Sequence, residues 1–141
     1  MPLTTFAASQ PTSVLLIDPE RRLSLKLQDL LFGLFQESLD LATACSLRDG
    51  ITYLCTHQVS LILISLAVSD YKGLDAVRAL RLTMPDSSLI AYGAAVNETL
   101  RLDAIRAGAH EVLSIAEISA DAFRLAAECA LARAKIRQMD T

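Results

Sequence analysis

The sequence predicts an α/β fold, a five-stranded parallel sheet covered by helices on both faces. Three observations carry this. Five short apolar runs are spread along 141 residues, and each is followed by a stretch whose apolar positions recur at helical spacing. The runs are mostly continuous rather than alternating, the pattern of strands buried on both sides. Cap and stop residues stand where the helical stretches begin and end. Regular alternation of strand and helix implies a doubly wound sheet with right-handed crossovers.

The elements follow in order. Residues 14–17, Val-Leu-Leu-Ile, form a buried strand that ends at Asp18. Pro19 stands where a helix would begin, a place that tolerates its missing N–H. Leu23, Leu27, Leu30, Leu31 and Leu34 give that helix its apolar face. Residues 39–44 are a weaker second strand. Ser46 with Asp49 resembles a capping box, and Ile51, Leu54 and Cys55 form the apolar face of the next helix. Residues 59–66 are the clearest strand, and a helix over residues 74–83 follows, ending before Pro85. Residues 89–92 make a fourth strand. Asn97 caps the next helix and Gly108 closes it in a left-handed conformation. Residues 112–115 make the fifth strand. Ser119 caps a last helix with Phe123, Ala126, Ala127, Ala130 and Leu131 inward.

Composition narrows the function classes. The chain is 52% hydrophobic and 21% charged, as a single packed domain requires. A net charge of −3 gives no global drive toward nucleic acid, and Arg133, Lys135 and Arg137 read as a solvated helix tail. Cys45, Cys55 and Cys129 contain no C-x-x-C pair and read as free thiols of a reducing cytoplasm. His57 and His110 have no neighbouring ligand at metal spacing, so both read as structural. No apolar run reaches the roughly 18 residues of a membrane span, and residues 1–12 read as a loose arm rather than a signal peptide. The division expected is an arm over 1–12, a domain over 13–134 and a helical extension over 135–141.

In such sheets ligands bind beyond the carboxyl ends of the strands, which here carry Asp18, Pro19, Glu20, Ser65, Gly93 and Ile115. The turn Asp18-Pro19-Glu20-Arg21-Arg22 has no glycine to cradle a phosphate, which argues against a nucleotide enzyme. Ser65 lacks a surrounding G-x-S-x-G and a neighbouring base, which argues against a hydrolase. Asp18 is one carboxylate; Glu20 and Asp70 are weak additions, so no metal or other cofactor is expected.

At this point the strand ends fit a known pattern. Residues 13–134 resemble the receiver domain of bacterial two-component response regulators. The resemblance rests on the run from Val14 to Glu20, on Leu61-Ile62-Leu63-Ile64-Ser65-Leu66 with Gly73-Leu74, on Pro85 with residues 89–94, and on Ala107-Gly108-Ala109 with Val112-Leu113. It implies a flavodoxin-like (βα)5 three-layer sandwich. It also implies that the residues for taking up phosphate are missing. Asp18 remains from the family's acidic pair, with Pro19 in the partner's place. Ser65 stands at the acceptor aspartate, Gly93 at the hydroxyl position, Ile115 at the lysine and Val112 at the aromatic switch residue. A serine cannot form an acyl phosphate and is a poor nucleophile without a base. An apolar group in the lysine's place leaves phosphoryl charge uncompensated.

The expectation is therefore a pseudo-receiver, not an enzyme, that acts through protein partners or as a homodimer. The resemblance places its interaction face at Leu100, Asp103, Ala107, Phe123, Arg124 and Ala127. In the family a last helix of this length, here Ala122 to Met139, often leads into an output domain such as an enzyme of cyclic di-GMP, so the chain reads either as part of a longer protein or as a stand-alone adaptor. The alternative is a small-ligand sensor built on the pocket of Asp18, Ser65 and Gly93. Asp70 replacing the missing aspartate is the counter-reading.

Overall fold

The computed structural model describes residues 11–68 and 70–139. Its strands are β1 (Thr12–Ile17), β2 (Leu39–Ala44), β3 (Leu61–Ser65), β4 (Ser88–Gly93) and β5 (Glu111–Ser114). Its helices are α1 (Arg21–Phe35), α2 (Leu47–Leu54), α3 (Gly73–Thr83), α4 (Glu98–Ala107) and α5 (Ala120–Met139). All strand pairs are parallel, in the order β2-β1-β3-β4-β5. This is the expected flavodoxin-like sandwich. Its topological switch point lies between β1 and β3.

The apolar runs divide their side chains between the two faces, because successive strand residues point opposite ways. Val14, Leu16, Leu61, Leu63, Ile90 and Tyr92 face α1 and α5, where Leu27, Leu31, Phe123, Ala127 and Ala130 close over them. Leu15, Ile17, Ile62, Ile64, Leu89 and Ala91 face α2, α3 and α4, covered by Leu47, Leu54, Ala76, Val77, Leu80 and Ala104. Each face is thus sealed from water.

Several local expectations shift. The first strand starts at Thr12, earlier than the apolar run at Val14, and residues 1–10 of the expected arm lie outside the described residues. Helix α1 begins at Arg21, two residues beyond Pro19. The Asp18 carboxylate accepts the Glu20 N–H at 2.6 Å and holds Glu20 extended, so helical conformation starts only after it. The third strand is shorter than the apolar run, since Val59 and Ser60 precede the ladder. Cys55 is exposed, and Leu47 and Gly50 take its expected place under α2. Ile115 falls in a short 3₁₀ turn just past β5.

The caps behave as their residue types dictate. Ser46, Asn97 and Ser119 each accept a backbone N–H three residues on, from Asp49, Leu100 and Ala122. Gly108 closes α4 at φ 130°, where a side chain is strained and a Cβ would lie 2.8 Å from Arg81 Cβ. At the start of α3 a Cβ on Gly73 would lie 2.6 Å from the Leu66 carbonyl oxygen, so only glycine lets this helix approach the end of β3.

Candidate functional site

The strand ends meet at the switch point by register. Ile17 pairs with Ile64, so Asp18 and Ser65 are the next residues of adjacent strands, and Ser65 pairs with Tyr92. Gly93 pairs with Ser114 one step further across. Asp18, Ser65 and Tyr92 all project from the face that α1 and α5 cover, by the alternation set at Leu16, Leu63 and Ile90.

Asp18 is buried, and both its oxygens are engaged within the chain. One accepts the Glu20 N–H; the other accepts the phenol of Tyr92 in a short hydrogen bond. Burial raises the Asp18 carboxyl above its ordinary value, the bonds from Tyr92 and Glu20 pull it back, and the nearby Glu20 charge adds to the rise. Burial likewise pushes the Tyr92 phenol far up, with the bond to Asp18 and the charges of Asp18 and Glu20 adding to it. The proton therefore stays on the phenol at neutral pH.

Ser65 is 1% exposed, and its hydroxyl oxygen accepts the Ala67 N–H at 3.1 Å. A Cβ on Gly93 would lie 3.1 Å from Val96 Cγ2, so a larger residue there would crowd the β4–α4 turn. Ile115 is fully buried. A cation does reach this region from elsewhere: Lys26 of α1 donates to the Ile115 carbonyl at 2.6 Å and to that of Ala116 at 3.1 Å. Val112 is buried among the side chains that cover α4.

Asp70 is turned away. Its carboxylate accepts the Leu47 and Arg48 N–H groups at 3.1 and 2.9 Å, capping α2 from 22 residues downstream of Arg48. What burial it has raises its carboxyl; those backbone bonds outweigh the effect and set it below its ordinary value. Asp70 therefore does not replace an acidic pocket residue.

The pocket does not fit a divalent cation. Mg²⁺ needs near-octahedral oxygens with anionic ligands among them. Here the single buried carboxylate is already spent on two donors, and the other strand ends offer a serine, a glycine and an isoleucine. Among the described residues, no three His, Cys, Asp or Glu side chains converge as a metal set.

A cleft of about 360 Å³ opens beside Asp18, lined by Pro19, Ser24, Leu25, Gln28 and the end of β2 from Thr43 to Cys45. Ser65 and Gly93 do not line it. The expected interaction face is also corrected in part. Phe123 and Ala127 are core residues beneath α5, because the sheet needs their apolar bulk; Arg124 is exposed, and Leu100, Asp103 and Ala107 are half-buried.

Tyr92 is the residue that sequence reasoning missed. The available signal was a tyrosine inside an apolar strand, since a buried phenol requires a hydrogen-bond partner. Lys26 had no such signal.

Comparison with known proteins agrees with this geometry. No curated protein matches the chain in sequence. Solved structures do match in fold. The signal receiver domain of an HD domain-containing protein from Pseudomonas fluorescens Pf-5 superposes with TM-score 0.77 at 20% identity, covering 89% of this chain and 98% of its own. A CheY-like response regulator receiver domain protein from Methanospirillum hungatei JF-1 gives 0.75 at 13% identity, covering 91% and 99%. The beryllofluoride-activated NtrC4 receiver domain dimer gives 0.74 at 23%, covering 86% and 97%. The model of the response regulator receiver domain matches residues 14–116, most of the folded body. A match of that extent, on a sheet of this order, means that the chain belongs to the response regulator receiver domain family of two-component signalling.

Proposed function

We propose that this receiver signals by binding a protein partner and takes up no phosphate. The observation that carries the reading is the closed carboxylate of Asp18, held by Tyr92 and Glu20 where the family's chemistry needs an open metal ligand. The substitutions around it support the same reading. Ser65 at the acceptor position has no carboxylate, Ile115 at the lysine position has no charge, and Gly93 has no hydroxyl. Val112 at the switch position has no aromatic ring to rotate. The phosphoryl group would thus meet no acceptor carboxylate, and the one cation nearby, Lys26, is engaged with the Ile115 and Ala116 carbonyls.

In this reading the exposed surface does the work, as a docking face for a partner or a second copy. It regulates an output domain such as an enzyme of cyclic di-GMP, joined through the long last helix, and it works in the cytoplasm. Receiver domains are non-enzymatic signalling modules as a rule, and no helix among the described residues is long and apolar enough to cross a membrane. The small-ligand alternative has less support, because Asp18 lines the cleft at the end of β2 while Ser65 and Gly93 do not, and Ser65 is 1% exposed.

The test is incubation with Mg²⁺ and a small-molecule phosphodonor such as acetyl phosphate, read by intact mass. No added phosphoryl group is expected. A stoichiometric adduct that hydroxylamine removes, as it removes acyl phosphates, would overturn the proposal.

A further inference from the structure

We propose that His110 is an acid-sensitive latch, which ties β4 and α5 together at the start of β5 while its ring is neutral and opens when the ring is protonated. This goes beyond the phosphate-free reading above and does not rest on it. His110 stands between Gly108, which closes α4, and Glu111, the first residue of β5, and it is half-buried.

The ladder makes the ring necessary. The His110 N–H donates to the Leu89 carbonyl at 2.7 Å. In a regular parallel ladder the Leu89 N–H would donate in return to the Gly108 carbonyl. That carbonyl is taken by Arg81 of α3, through Nε and Nη2 at 3.0 and 2.8 Å. The Leu89 N–H donates instead to Nδ1 of His110, at 3.0 Å. An imidazole nitrogen thus stands in for a main-chain acceptor. Arg81 Nη2 lies 3.3 Å from the same nitrogen. Both neighbours are donors, so Nδ1 carries a lone pair and the ring proton sits on Nε2.

The same residue reaches the last helix. The His110 carbonyl accepts Arg133 of α5 at 2.6 Å, and Arg133 also meets Glu111 at 3.2 Å. Nearby on α5, the Ala130 carbonyl accepts the hydroxyl of Ser88, the residue before Leu89, at 2.8 Å. Ser88 and Leu89, with His110 and Glu111 across from them, therefore fasten α5 at one place.

A proton on Nδ1 works against this arrangement. The Leu89 N–H loses its acceptor, and the new N–H is set against that donor and against a permanent guanidinium. Among the described residues, the charged groups around His110 are Arg81 from α3, Arg133 from α5 and Glu111 from β5, with Glu111 engaged by Arg133. Asp86 lies in the α3–β4 loop, between the two residues whose carbonyls Arg81 also holds. Arg81 keeps its bonds to main-chain carbonyls throughout, because the guanidinium stays charged. Only the share of the ring responds. Imidazole ordinarily changes charge between about pH 5 and pH 8. The bonds to Nδ1 need the neutral ring, so they are present at the upper end of that range and are lost as pH falls through the titration of His110.

The test follows the full chain by NMR across that pH range. Imidazole nitrogen shifts are expected to show the Nε2–H form at the upper end. Hydrogen exchange, corrected for the intrinsic effect of pH, is expected to show the Leu89 amide losing about tenfold in protection as His110 titrates, with the amides from Ala130 to Arg133 following. His110→Asn sets an uncharged amide oxygen where Nδ1 stands, so it should keep the protection and lose its pH dependence. His110→Ala should lack the protection at both ends of the range. Three results would each overturn the latch: Leu89 protection that stays constant while His110 titrates, a loss at Leu89 that leaves α5 untouched, or the same pH response in His110→Asn.

Discussion

The two ends of the sheet satisfy their polar groups in different ways. At the amino end one guanidinium serves several loops. Arg81 donates to the Gly108 carbonyl through Nε and Nη2, at 3.0 and 2.8 Å, and to the Pro85 and Ser87 carbonyls at 2.9 and 3.1 Å. His110 adds to this, accepting the Leu89 N–H on Nδ1 at 3.0 Å. At the carboxyl end no such hub appears among the described residues. Polar groups pair off: Tyr92 with Asp18, Ala67 with Ser65, Lys26 with the carbonyls past β5. The amino end depends on a group that stays charged at all accessible pH. The carboxyl end depends on a buried carboxylate whose charge state responds to pH. The difference teaches that the polar groups at the carboxyl end are satisfied in self-contained pairs, without a shared charged donor.

The largest effect should come from breaking the hub. Arg81→Ala leaves several carbonyls without their charged donor and should cost about 3 kcal/mol, read as a lower urea midpoint. Next is the carboxyl end. Tyr92→Phe removes the phenol from a buried carboxylate oxygen and should cost about 2 kcal/mol. It should also lift the Asp18 carboxyl further, because the bond it loses is one that lowers it. Carboxyl carbon shifts followed through a pH titration would show this.

Two aspartates then sharpen the comparison with opposite signs. The Asp18 carboxyl is raised in the folded state. Folding therefore favours its protonated form, and the stability this confers is present in acid and is lost as pH rises from its ordinary value through the raised one. Asp18→Asn should remove that loss, stabilise the protein at neutral pH and flatten the profile there. The Asp70 carboxyl is lowered. Its contribution is present at neutral pH and fades as pH falls through the lowered value. Asp70→Ala should thus cost about 1 kcal/mol at neutral pH, the usual worth of a cap, and less in strong acid. Denaturant midpoints measured across the acidic range check both.

Much of this was legible in the chain. Residues 39–44 set β2 to the residue although Asp40 and Thr43 interrupt their apolar character, and Asn97, Gly108 and Ser119 marked helix ends because capping is a local matter. Boundaries blurred where apolar character outran the ladder, as at Val59 and Ile115. The site was legible by position and not by contact. Asp18, Ser65 and Gly93 end their strands as expected. That Tyr92 reaches Asp18 across 74 residues, and that Asp70 is used up on α2, depend on tertiary placement that no local pattern encodes. Phe123 shows the converse error: a residue expected on two surfaces at once belongs to the one that buries more apolar area.

The central claim is a strand-end pocket that has left phosphate chemistry. Amide NMR spectra of the chain, titrated with Mg²⁺ and then with beryllofluoride, test it most directly. The account predicts no saturable shifts at Asp18, Ser65, Tyr92 or Gly93 at millimolar Mg²⁺, and none on adding the phosphoryl mimic. Saturable shifts at those residues, spreading to β5 and α5, would show a working switch and contradict it.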